Sequence, residues 1–144
     1  MKKTKRYYEF GDFLRDLFKF KVQKISINAG FTCPNKDGTK GTGGCIYCMG
    51  GSGYFTEKSD GEIYDSVKRQ LAAEKERIYK KHPDSLITAY FQANTNTYAP
   101  VATLKEAYTA ALDFGVHGIS IGTRADCLPD DVIALLCDIN SKTH

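Results

Sequence analysis

Cys33-Pro-Asn-Lys-Asp-Gly-Thr-Lys-Gly-Thr-Gly-Gly-Cys45-Ile-Tyr-Cys48 is the stretch on which the reading of this chain turns, and Met-Gly-Gly-Ser-Gly follows it. It holds three of the five cysteines, spaced C-x11-C-x2-C, with a spacer made largely of glycine and small polar residues. The C-x2-C pair puts two sulfurs on one tight turn, close enough to share a metal or cluster. Cys33 folds back through the flexible spacer to supply a third. Glycines at 41, 43, 44, 50, 51 and 53 permit positive φ and close backbone approach. That geometry lets main-chain N–H groups point at sulfide or thiolate. The count of three is informative. A structural zinc site or an electron-transfer [4Fe–4S] centre normally closes with four protein ligands, whereas three leave a position open for chemistry. On ligand chemistry alone zinc and iron–sulfur stand level, with Cys127, Cys137 or His117 as a fourth zinc ligand.

Outward from this loop, strands alternate with helices. Val22 to Ile27 is a short β-branched strand that feeds the cysteine loop. Asp60 to Lys81 reads as a helix with Ile63, Val67, Leu71 and Ile78 on its apolar stripe, Asp60 as N-cap and His82-Pro83 as its stop. Leu86 to Ala93 is a second strand, largely apolar as buried parallel strands are. A helix over Thr103 to Phe114, capped by Thr103 and closed by Gly115, precedes a third strand over Gly118 to Gly122. A last helix runs from Pro129 to about Asn140, with Asp130 and Asp131 favourable to its dipole. Repeated βα units imply an α/β fold with a parallel sheet. Three polar loops follow strands: the cysteine loop, Gln92-Ala-Asn-Thr-Asn-Thr-Tyr and Thr123-Arg-Ala-Asp. Strand order alone predicts that they converge on one mouth at the C-terminal ends of the strands.

The cysteine loop, with an aromatic just before its last cysteine, resembles the cluster loop of the radical S-adenosylmethionine superfamily. Its long first spacer departs from the commoner C-x3-C-x2-C pattern. It is similar to a subgroup containing the catalytic subunit of elongator and the YhcC/YtqA-type bacterial proteins. Further matching blocks are Ile25-Ser-Ile-Asn-Ala-Gly-Phe-Thr-Cys-Pro-Asn, Tyr90-Phe-Gln-Ala-Asn-Thr-Asn-Thr-Tyr-Ala-Pro and Ile121-Gly-Thr-Arg-Ala-Asp-Cys-Leu-Pro. The resemblance implies an enzyme in which Cys33, Cys45 and Cys48 ligate a [4Fe–4S] cluster whose open iron binds the amino and carboxylate groups of S-adenosylmethionine. Reductive cleavage would give a 5′-deoxyadenosyl radical, with electrons from a flavodoxin- or ferredoxin-like donor. It further implies that Tyr47 occupies the aromatic slot near the adenine, a packing aromatic being the alternative. By position only, since the superfamily's Gly-Gly-Glu is missing, Gln92 and Asn94 fall where the methionyl amino group is contacted; loop capping is the alternative. Arg124 is a candidate carboxylate clamp, or else a surface ion pair with Asp126 or Asp130. Cys127 and Cys137 are expected to be structural, Cys137 as a small hydrophobe on a helix. His117, before a strand, falls at the opposite end of the sheet.

The remaining features set bounds. The chain has 144 residues, 42% of them hydrophobic, which is one domain's worth. Its net charge of +3 (20 basic minus 17 acidic) does not by itself imply nucleic acid. Residues 1–24 nonetheless carry a basic surplus of five, interleaved with Tyr7, Tyr8, Phe10, Phe13, Phe18 and Phe20. We read residues 1–21 as an amphipathic lead-in helix whose aromatics pack inward; the alternative is a basic-aromatic surface for RNA, the substrate class that the elongator analogy suggests. Glu9, Asp12, Arg15 and Asp16 interrupt any secretory apolar region, and no run is long enough for a membrane span. A reducing cytoplasm is therefore expected. Three βα units do not close a barrel, and the superfamily fold uses about six, against eight in the full α/β barrel. Residues 22–144 thus read as the N-terminal half of such a core, its third strand left with an exposed edge. The alternative function is a zinc-stabilised or iron–sulfur module that binds without catalysing.

Overall fold

A computed structural model describes residues 6–48 and 59–142. The glycines at 50, 51 and 53, the lysines at 2, 3 and 5, and the ends of the predicted lead-in helix and cysteine loop lie outside the described residues. The chain is mixed α/β, with four helices and a three-stranded parallel sheet in the order β1-β2-β3 among the described residues. The strands are β1 (Val22–Ile27), β2 (Leu86–Phe91) and β3 (Ile119–Ile121), and the helices are α1 (Phe10–Phe18), α2 (Ile63–Tyr79), α3 (Val101–Asp113) and α4 (Asp130–Lys142). Val22 pairs with Leu86 and Ile27 with Phe91, and the register continues from Ala89–Ile119 to Phe91–Ile121. Among the described residues no helix is long and apolar enough to cross a membrane.

The sheet has one strongly apolar face. Ile25 and Ile27 of β1 and Ile87, Ala89 and Phe91 of β2 are almost wholly buried, and they alternate along the strands as the pleat requires. Val67 and Leu71 of α2 and Leu104, Ala107, Ala110 and Ala111 of α3 cover them. The alanines of α3 bring its backbone close to the sheet, and Tyr108 fills the space that remains, its ring edge-on to Phe91 at 5.2 Å. The Tyr108 hydroxyl donates to the Asn96 carbonyl.

Helix starts differ from expectation. The residue before α2 is Glu62, without a side-chain cap. Asp60 instead pairs with Arg69. α3 starts two residues before Thr103, directly after Pro100, which stands outside the helix at φ −55° and ψ 140° and lacks the N–H needed to extend it backwards. Gly115, at φ +85°, closes it as expected.

The lead-in segment is a clear correction. α1 spans nine residues rather than the predicted 1–21 and buries none of them. Tyr7, Tyr8, Phe10, Phe13 and Phe20 are all exposed, Phe13 least at 44%. Phe10 and Phe13 stack on each other instead of on the core. Cys137 likewise proves exposed, not packed: the face of α4 that carries Val132 and Leu135 turns inward, which leaves Cys137 on the other side.

Candidate functional site

The chain leaves β1 through a clamp. The Gln70 side chain, buried on α2, accepts from the Asn28 N–H at 2.9 Å and donates to the Asn28 carbonyl at 2.8 Å. This replaces the strand partners that the backbone loses there and aims residues 29–33 along the end of the sheet.

The spacer that the sequence suggested was flexible is a built turn. Lys36 and Asp37 N–H groups donate to the Cys33 carbonyl at 2.8 and 3.1 Å, and Lys40 and Gly41 donate to Pro34 at 2.9 and 3.2 Å. Gly44 returns to the Asn35 carbonyl at 2.9 Å, which brings the C-x2-C turn back towards Cys33. Gly43 and Gly44, at φ +81° and +80°, make that return possible. Cys48 N–H donates to the Cys45 carbonyl at 2.8 Å, closing the tight turn expected of C-x2-C.

All three strand-following loops meet there. Cys33, Cys45, Cys48 and Tyr47 line a cavity of about 200 Å³ together with Asn94 and Thr95 after β2, and Thr123 and Arg124 after β3. The convergence expected from strand order is therefore present. Thr95 N–H donates to the Thr32 carbonyl at 3.1 Å, and the Asn94 amide donates to the Phe31 carbonyl at 2.7 Å. Asn96 fastens the floor: its buried amide donates to the Phe91 and Gly122 carbonyls, both at 3.0 Å, bridging the ends of β2 and β3.

The electrostatics favour thiolate. Burial would raise the Cys33 thiol, but hydrogen bonding from Thr95 and the Asn35 backbone, with the Arg124 cation beside it, holds it below its ordinary value. Cys45 is also lowered, first by a hydrogen bond from Tyr47 and then by Asn35, whose Nδ2 lies 3.1 Å from Cys45 Sγ. The same contact raises Tyr47. Tyr47 is 81% exposed, so it stands at the rim and is not a packing aromatic. Cys127 is the contrast: burial, and then the Asp126 charge, push its thiol up. Among the described residues, no group of three or more His, Cys, Asp or Glu side chains is gathered for a single ion.

The other predicted residues divide. Asn94 reaches the cavity at φ +65°. Gln92 is not among its lining residues, and accepts from Ser26 Oγ at 3.2 Å instead. Arg124 lines it, yet its Nε and Nη2 each donate to one Asp126 oxygen at 2.8 Å. Asp126 also pairs with Lys40, and its carboxyl is held far below the usual range by Arg124 and then Lys40. Cys127 lies behind that pair, in a separate cavity of about 700 Å³ bounded by Pro34, Tyr98 and Pro129. His117 falls at the other end of β3, beside α1 and α4. Sequence reasoning missed Lys36, Thr95 and Asn96; only the place of the last two, just after a strand, hinted at them.

The chain is similar to the uncharacterized protein YtqA of Bacillus subtilis (strain 168), 44% identical over 142 residues, covering 97% of this chain and 43% of YtqA. It is 37% identical over 136 residues to protein YhcC of Escherichia coli (strain K12), covering 94% of this chain and 42% of YhcC. To the uncharacterized protein MJ0486 of Methanocaldococcus jannaschii it is 34% identical over 138 residues, covering 92% of this chain and 39% of the relative. The chain thus spans less than half the length of the curated relatives it matches. No family model matches it, and no solved structure does.

Proposed function

We propose that this chain is the cluster-bearing part of a radical S-adenosylmethionine enzyme, in which Cys33, Cys45 and Cys48 hold a [4Fe–4S] cluster with one iron free of protein ligand. The observation that carries the reading is that, among the described residues, these three thiols and no fourth line one cavity at the C-terminal end of a parallel sheet. The residues fit the group. Two of the thiols are biased towards the ligating thiolate form, and Asn35 supplies a hydrogen bond to sulfur of the kind that tunes such clusters. A cubane spreads its cysteines over different irons, so its ligands need not close around one point as they must for zinc.

When bound, the cluster would supply the electron that cleaves S-adenosylmethionine to a 5′-deoxyadenosyl radical. The protein's own part is to bind and orient. Tyr47 at the rim offers an aromatic face to the adenine, and Asn94 and Lys36 offer contacts to the methionyl end. Asn96 holds the strand ends, and so the three loops, in register. On this reading the three βα units begin a (β/α)6 barrel of a cytoplasmic protein, served by a flavodoxin- or ferredoxin-like donor. The exposed aromatics around α1, in a stretch whose sequence carries a basic surplus, make RNA the substrate class to try first.

Anaerobic reconstitution with iron, sulfide and S-adenosylmethionine tests the proposal. The expected product is 5′-deoxyadenosine, formed only after reduction, with the longer homologous chain as the comparison. Stoichiometric zinc with no iron uptake would instead establish the non-catalytic binding module.

A further inference from the structure

Among the described residues, two cations line the three-cysteine cavity, Lys36 and Arg124, and no carboxylate does. Their surroundings differ. The Arg124 fork is filled by Asp126 through two hydrogen bonds of 2.8 Å, and the remainder of the guanidinium lies beside the Cys33 thiol. Lys36 Nζ donates at 2.7 Å to Asn94 Oδ1, a neutral amide. An ammonium carries three N–H donors and a full charge, and an amide acceptor neutralises none of that charge.

The position of Lys36 is also built from two sides. Gly44 lies against its stem so closely that an added Cβ would come within 3.1 Å of Lys36 Cε and 3.4 Å of Cγ. Asn94, which receives its head, is itself fixed by the Phe31 carbonyl and by its left-handed backbone at φ +65°. A half-buried ammonium held in this way, beside a centre with an open coordination position, is suited to a small anionic group that arrives with the ligand.

Resting on the function proposed above, we infer that Lys36 receives the carboxylate of S-adenosylmethionine, and that Arg124, the residue the sequence put forward for that task, is instead a positioning residue held by Asp126 beside Cys33. An α-amino carboxylate is the ligand chemistry this requires, its carboxylate placed to accept from Lys36 Nζ.

The test is equilibrium binding of S-adenosylmethionine and of its decarboxylated analogue to the reconstituted full chain, with iron and sulfide measured on each sample. Lys36→Met should weaken S-adenosylmethionine binding about ten- to hundredfold, the range for a charge-assisted hydrogen bond, and leave binding of the decarboxylated analogue and the iron content unchanged. Lys36→Arg should restore most of the difference between the two ligands, and Gly44→Ala, which displaces the lysine stem, should reduce it. Arg124→Lys should preserve the preference for the carboxylate. If Lys36→Met weakens both ligands equally or neither, or if Arg124→Lys is the variant that erases the preference, the inference is overturned while the cofactor reading stands. If iron-loaded wild-type protein binds neither ligand, the cofactor reading falls and the inference with it.

Discussion

Two stretches of this chain follow a strand of the sheet and carry cysteine, and they treat the thiol in opposite ways. After β1, residues 33–48 turn hydrogen-bond donors towards sulfur: Thr95 and the Asn35 backbone at Cys33, Tyr47 and the Asn35 amide at Cys45. After β3, Cys127 is buried next to the Asp126 carboxylate, where both influences favour the neutral thiol, and Cys137 stands on the exposed face of α4. The two regions share residue type and topological place, and differ in what surrounds the sulfur. A metal-ligating thiol must give up its proton, and of the two regions the first is the one that lowers its thiols, at Cys33 and Cys45.

The strongest way to break this contrast is to exchange the roles. Replacing any one of Cys33, Cys45 or Cys48 by Ala should abolish uptake of the roughly four iron and four sulfide per chain that a [4Fe–4S] centre requires, whereas Cys127→Ala or Cys137→Ala should retain it. Iron and sulfide analysis after anaerobic reconstitution decides the point; loss of iron in Cys127→Ala would place that sulfur in the site.

The next effect is on the frame both regions share. Asn96→Ala removes the side-chain amide that joins the Phe91 and Gly122 carbonyls, although each carbonyl keeps a backbone donor, from Gly122 and Asn96 N–H respectively. We expect a loss of about 1–2 kcal/mol in denaturant unfolding, since a hydrogen bond whose loss leaves no partner unsatisfied contributes roughly 0.5–1.5 kcal/mol. An unchanged midpoint would show that the loops do not depend on this link.

A subtler contrast is kinetic. In apo protein, alkylation should reach Cys33 and Cys45 at lower pH than Cys127. The sign follows from the shifts: a lowered thiol pKa leaves thiolate present at lower pH, and a raised one postpones it to higher pH. Mass-spectrometric mapping across a pH series would show the order, and Cys127 reacting first would reverse the contrast. The smallest effect is on stability. Cys127→Ala should cost about 1 kcal/mol, as small deletions at buried positions do, measured by the same unfolding experiment.

Much of the frame was legible beforehand. β1 falls on Val22–Ile27 as its β-branched run indicates, and Gly115 closes α3 where a left-handed residue is needed. What periodicity cannot reveal is which surface exists to receive an apolar stripe. The aromatics of α1 have the spacing of a buried face, yet only Phe18 is half-buried, near Gly118, while Phe10 and Phe13 stay exposed. That the cysteines would share one turn could be read because their spacing is local. Lys36 could not, because a lysine in a turn looks solvated until Gly44 and Asn94 are seen to hold it. Gln92 failed for the opposite reason: counting from the strand end gave its place, but Ser26 takes its side chain.

The most direct test of the account is electron paramagnetic resonance of the reduced, reconstituted protein with and without S-adenosylmethionine. Three thiolates leave one iron able to accept an amine and a carboxylate, so adding the molecule should change the spectrum, and the change should persist in Cys127→Ala. A wild-type spectrum that stays the same with S-adenosylmethionine, and responds only once Cys127 is removed, would mean that this sulfur closes the site and would contradict the open iron on which the proposed function depends.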